Sequence, residues 1–75
     1  MIFSERLKQL KSENNATQKE IAKAANISDR AYRNLESGVS IPNMDTLILL
    51  ADFYQVSLDY LTCRTDDPTF KPIKH

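Results

Sequence analysis

Apolar side chains recur along the chain at helical spacing and nowhere alternate as a strand would. Phe3, Leu7 and Leu10 fall at i, i+4 and i+7, the inner stripe of a first helix ending near Asn14-Asn15. Thr17-Gln18-Lys19-Glu20 has the form of a capping box, in which the Thr17 hydroxyl takes the Glu20 amide and the Glu20 carboxylate reaches back. Ala16 and Ile21 stand where a hydrophobic staple closes over that cap, so a second helix starts at Gln18. It carries Ile21, Ala22 and Ala25 inward and stops at Asn26, the residue type other than glycine that best tolerates a left-handed turn. Ser28 caps a third helix, with Ile27 and Tyr32 as its staple and Asp29 at the positive end of its dipole. Ala31 and Leu35 form its buried stripe, and Gly38 ends it. After the loop Val39-Ser40-Ile41-Pro42, Asn43 caps a fourth helix with Leu47, Leu50, Ala51 and Tyr54 on its inner face. Ser57 opens a short fifth, Leu58 to about Thr62, with Val56 and Leu61 as a third staple. Beyond Cys63, Asp66-Asp67-Pro68 and Lys71-Pro72 cannot continue a helix. The pattern predicts an all-α, compact five-helix bundle over residues 1–63 and an extended tail over 64–75.

Composition narrows what such a bundle could do. With 75 residues the chain suits one small domain. Gly38 is the only glycine, which excludes a glycine-rich phosphate-cradling loop. Cys63 has no second cysteine to pair with, and Cys63 with His75 cannot make a four-ligand zinc site, so neither a disulfide, a metal nor a cofactor is expected. The only histidine is the last residue, Cys63 has no neighbouring base, and Asp66-Asp67 reads as a solvated turn, so no catalytic residues are assigned and an enzyme is not expected. The longest apolar run, Leu47 to Ala51, is far short of a membrane span, and the start, Met-Ile-Phe-Ser-Glu-Arg, has no apolar core of a secretory signal. A cytoplasmic protein is expected. Net charge is zero, yet residues 1–40 hold seven basic side chains against five acidic, and residues 41–75 three against five. The N-terminal half is therefore the one expected to meet an anion.

Two helices separated only by Asn26-Ile27-Ser28 are what a helix-turn-helix requires, because so short a link makes them cross steeply and leaves the second proud of the surface. The stretch from Thr17, T-Q-K-E-I-A-K-A-A-N-I-S-D-R-A-Y-R-N-L-E-S-G, resembles the lambda-repressor-like, Cro and XRE-type DNA-binding family. R-L-K-Q-L-K in the first helix, I-P-N-M-D-T-L before the fourth and L-A-D-F-Y-Q-V-S-L-D-Y-L at the end extend the resemblance from Phe3 to Leu61.

The resemblance implies that the helix from Asp29 to Ser37 lies in the major groove of double-stranded DNA, with the second helix across the backbone. It implies that Ser28, Asp29, Arg30, Arg33 and Asn34 face bases or flanking phosphates, and that Thr17, Gln18, Ser37 and Ser40 meet phosphate. The chemistry of these residues agrees. Arg30 and Arg33 share a helix face and carry the forked donors that suit guanine O6 and N7. Asn34 can read adenine or bind phosphate, and Asp29 can serve the helix dipole or accept from cytosine. Tyr32 replaces a usual aliphatic residue and is expected in the core with a wet hydroxyl. Lys11 and Glu36 correspond to a family Arg–Glu brace, loosened here because lysine lacks the fork. Val39-Ser40 stands where relatives have basic residues, which lowers the expected non-specific affinity. Leu49 and Phe53, one turn apart and off the inner stripe, are the expected homodimer surface of a regulator, a repressor of the kind found in bacteria and their phages, that reads a palindromic operator. The alternative is a protein-interaction module, such as an antitoxin, that binds a partner protein through the fourth helix or the tail.

Overall fold

Helices form where the local sequence supplies caps. The computed structural model describes residues 1–69, with α1 at Phe3–Glu13, α2 at Gln18–Ala24, α3 at Asp29–Ser37, α4 at Met44–Tyr54 and α5 at Leu58–Leu61. Each start has a side chain satisfying an amide that the helix leaves free. Glu5 accepts from the Ile2 N–H at 3.0 Å. Thr17 Oγ1 accepts from Glu20 N–H at 3.1 Å while the Glu20 carboxylate accepts from Thr17 N–H at 3.0 Å. These bonds from Thr17, the backbone one foremost, hold the Glu20 carboxyl below its ordinary pKa. Ser28, Asn43 and Ser57 cap α3, α4 and α5 at 3.0, 2.9 and 3.0 Å.

The helix ends share one device. Asn15, Asn26, Gly38, Gln55 and Cys63 have positive φ, at 50°, 58°, 82°, 56° and 66°. The amide that follows each reaches back five residues, Ala16 to Lys11, Ile27 to Ala22, Val39 to Asn34, Val56 to Ala51 and Arg64 to Asp59, at 2.8–3.1 Å. This is the Schellman arrangement, which satisfies carbonyls that α-helix geometry would orphan. At Gln55 it requires a left-handed backbone from a residue with a Cβ. Gln55→Gly is expected to raise stability by about 0.5–1 kcal/mol, read as a higher midpoint in urea unfolding. An unchanged or lower midpoint would show that the 2.6 Å bond from Gln55 Nε2 to the Asp52 carbonyl outweighs the strain.

Leu7, Ile21, Tyr32, Leu50 and Leu61, drawn from all five helices, fill the centre. Leu10, Ala22, Ala25, Leu35, Ala51, Tyr54, Val56 and Tyr60 surround them. The structure departs from the expected burial at Ala31, at Thr46, at the Tyr32 hydroxyl and at Arg6. Ala31 is only half-buried, while Tyr32, expected in the core, is fully buried beside Leu35. Leu47 is half-buried and packs against the core, and Thr46 is buried as well. The Tyr32 hydroxyl is buried rather than exposed to solvent. Arg6, one of the seven basic side chains of residues 1–40, is buried beneath the start of the tail. Residues Arg64–Thr69 carry no helix or strand, and the rest of the expected tail, with Phe70, Ile73 and His75, lies outside the described residues.

Candidate nucleic-acid interface

α2 and α3 pack against each other across Ala25-Asn26-Ile27-Ser28, with Asn26 supplying the reversal. Ile21, Ala22, Tyr32 and Leu35 anchor the pair from below, so the opposite face of α3 is left to solvent. Ser28, Asp29, Arg30 and Arg33 are exposed there, and Asn34 is half-buried. Asp29 and Arg33, four apart, form no ion pair, and among the described residues neither Arg30 nor Arg33 is held by a carboxylate. Two guanidinium groups are therefore free to meet an external acceptor.

The other residues singled out by sequence fall into different environments. Thr17 is exposed at the N-terminus of α2 with its hydroxyl engaged in the cap. Gln18 is half-buried, and its amide donates to the Asp29 carbonyl at 3.4 Å, tying the first turn of α2 to that of α3. Ser37 is exposed but donates to the Asn34 carbonyl at 3.2 Å, an oxygen that also accepts the Val39 and Ser40 amides. Ser40 is half-buried at the edge of an apolar groove. Lys8 was not singled out. It is exposed on α1 and shares a shallow depression with Arg33, Glu36 and Ser37, adding a cation beside the exposed face of α3. The available signal was its spacing: Lys8 and Lys11 are three apart on α1 and so turn the same way.

Lys11 Nζ donates to Glu36 Oε1 at 3.1 Å, so the expected brace between α1 and the end of α3 is formed, through a single bond. Leu49 and Phe53 are 37% and 38% exposed, and the Phe53 ring rests edge-on against Tyr54 with centroids 5.0 Å apart. Greater apolar exposure lies elsewhere. Ile41 is 94% exposed, and with Ile2 it rims a groove of about 270 Å³ lined by Phe3, Leu35 and Leu47. A hydrophobic pattern read from sequence could not place these loop side chains. No helix among the described residues is long and apolar enough to cross a membrane.

A bundle of five helices in which α2 and α3 pack across a short link, the second exposed and arginine-bearing on its outer face, defines a helix-turn-helix domain. The helix-turn-helix family model HTH_3 matches residues 7–61, and the chain belongs to that family. It is similar to an uncharacterized HTH-type transcriptional regulator, YobD, of Bacillus subtilis (strain 168), 34% identical over 67 residues, covering 89% of this chain and 60% of YobD. The HTH-type transcriptional activator BcrR of Enterococcus faecalis is 38% identical over 81% of this chain and 30% of its own. The cryptic phage CTXphi transcriptional repressor RstR of Vibrio cholerae serotype O1 is 36% identical over 85% of this chain and 57% of its own. The crystal structure of a transcriptional regulator from Listeria innocua superposes with a TM-score of 0.77 at 33% identity, covering 81% of this chain and 57% of that one. The chain thus spans less than two thirds of each of these relatives. All four of these relatives are named as transcriptional regulators, activators or repressors.

Proposed function

We propose that this protein is a sequence-specific transcriptional regulator, a repressor that reads a palindromic operator as a homodimer through α3. The observation that carries the reading is the exposed, carboxylate-free pair Arg30 and Arg33 on the outer face of α3. The relatives include both a repressor and an activator, so the direction of regulation is part of the proposal. In this reading the α3 side chains specify and the N-terminus of α2, with Thr17 and Gln18, positions through phosphate. Ser37, Ser40 and Lys8 add backbone contacts. The protein acts by occupying DNA, and no bond is made or broken.

Selection of bound duplexes from random DNA is expected to return a two-fold symmetric site. On that site Arg33→Ala should cost about 1–3 kcal/mol and relax base preference at one position per half-site. Gln18→Ala should weaken every duplex alike. An equal loss on all sequences for Arg33→Ala would remove its base-reading role, and an unstructured selection would remove the whole reading.

A further inference from the structure

Three buried side-chain oxygens have no hydrogen-bond partner among the described residues: Tyr32 Oη, Tyr54 Oη and Glu36 Oε2. Tyr32 and Glu36 are four apart on α3, and Tyr54 closes α4. The three sense one another. Burial raises the Tyr32 pKa above its ordinary value, and the Glu36 carboxylate adds to the rise through hydrogen bonding and charge, with a further contribution from Tyr54. Burial, then the charge of Glu36, pushes Tyr54 up to about 12. Tyr32 and Glu36, one turn apart, stand on the same side of α3, and both oxygens are buried.

Buried hydroxyl and carboxylate oxygens are almost always hydrogen-bonded, because a dry, unpaired one loses its hydration for nothing. The donor and acceptor count matches. Each phenol has one proton to give, and Glu36 Oε2 has two lone pairs to receive them. The other oxygen, Oε1, already takes Lys11 Nζ at 3.1 Å. We infer that Glu36 Oε2 is the shared acceptor of the Tyr32 and Tyr54 hydroxyls, directly or across one buried water, so that a single carboxylate ties α1, α3 and α4 together. Glu36 lies one turn beyond Arg33, so this link sets the rotation of α3 and with it the direction in which Arg33 points. Tyr54, on a helix that carries none of the proposed base contacts, is then a positioning residue for readout. Its positioning role rests on the reading of α3 proposed above, whereas the link itself does not.

Tyr54→Phe keeps the ring and removes the hydroxyl. In the otherwise native chain it is expected to lower the folding equilibrium constant about five- to tenfold. In a Glu36→Met background the hydroxyl has lost its acceptor, so the same change should be neutral or favourable. An equal effect in both backgrounds would overturn the shared acceptor. Should Glu36→Met not fold, Tyr32→Phe supplies the second background. Two hydroxyls on one acceptor predict a changed Tyr54→Phe effect there, and strict additivity would refute the link. Readout is measured separately. Tyr54→Phe should reduce discrimination at the Arg33 base position about three- to tenfold while affinity for random duplex stays unchanged. A merely smaller folded fraction would lower both affinities together, and unchanged discrimination would refute the positioning role. If the native protein binds no preferred duplex, the DNA reading fails while the folding cycle still decides the link.

Discussion

Arg6→Ala is expected to destabilise the domain by about 2–4 kcal/mol, a loss as large as truncating a buried leucine. Arg6 is 3% exposed, with its Cζ 3.8 Å from the centroid of the Tyr60 ring. Its Nε donates to the Tyr60 carbonyl at 3.0 Å, Nη1 to Gln9 Oε1 at 3.0 Å and Nη2 to the Thr65 carbonyl at 3.4 Å. One planar fork thus joins α1, the end of α5 and the first residues after it, while its face stacks on an aromatic ring. Truncation removes these bonds and the buried stem together, and leaves a void beside Tyr60. The 3.5 Å approach to Asp66 contributes little, because that carboxylate is fully in water. Thermal unfolding followed by circular dichroism separates the two. The midpoint should fall by about 4–8 °C for each kcal/mol lost in Arg6→Ala, and stay in place for Asp66→Asn. Arg6→Lys keeps the charge without the fork or the stack and should recover little. Equal shifts for Arg6→Ala and Asp66→Asn would mean that the surface pair, not the buried fork, holds the end of the chain.

Such a residue marks where a sequence stops being legible. Helix starts are written locally, in Thr17, Ser28, Asn43 and Ser57, because a cap acts on amides two or three residues away. The stops at Asn26 and Gly38 were readable for the same reason, since both residue types tolerate a left-handed backbone. Gln55 and Cys63 adopt the same conformation with no such signature, and there the demands of packing override residue preference. Arg6 finds its partners 54 and 59 residues away, so its neighbours in sequence describe an ordinary solvent-facing cation. The site divides in the same way. Helical period places Arg30 and Arg33 together on the outer face of α3, and the structure leaves them there. That Asp29 would not neutralise Arg33, and that Glu36 Oε2 and the Tyr32 and Tyr54 hydroxyls would all be buried, depend on side-chain directions that spacing does not give.

Leu49→Glu combined with Phe53→Glu is expected to make the protein monomeric and to weaken operator binding by about 10²–10⁴-fold, with helical content intact. The two side chains are one turn apart on α4 and each is little more than one third exposed, so charge placed there reaches water without opening the core. One helix-turn-helix module covers only about 600–1,000 Å² of interface with DNA, which is too little for tight and selective binding by itself. A two-fold axis places two recognition helices about 34 Å apart, one turn of the duplex, and the second module then binds at high effective concentration. Adjacent apolar side chains on α4 supply a contact that repeats itself across such an axis. The rival face is the groove beside Ile41, whose side chain protrudes next to a cleft lined by Phe3, Leu35 and Leu47. Sedimentation of Ile41→Asp beside the α4 double variant decides between them. A monomer from the α4 variant and a dimer from Ile41→Asp place the axis on α4. The reverse result transfers it to the groove, and a native chain that is monomeric at high micromolar concentration yet still binds the palindrome tightly would confine pairing to the DNA.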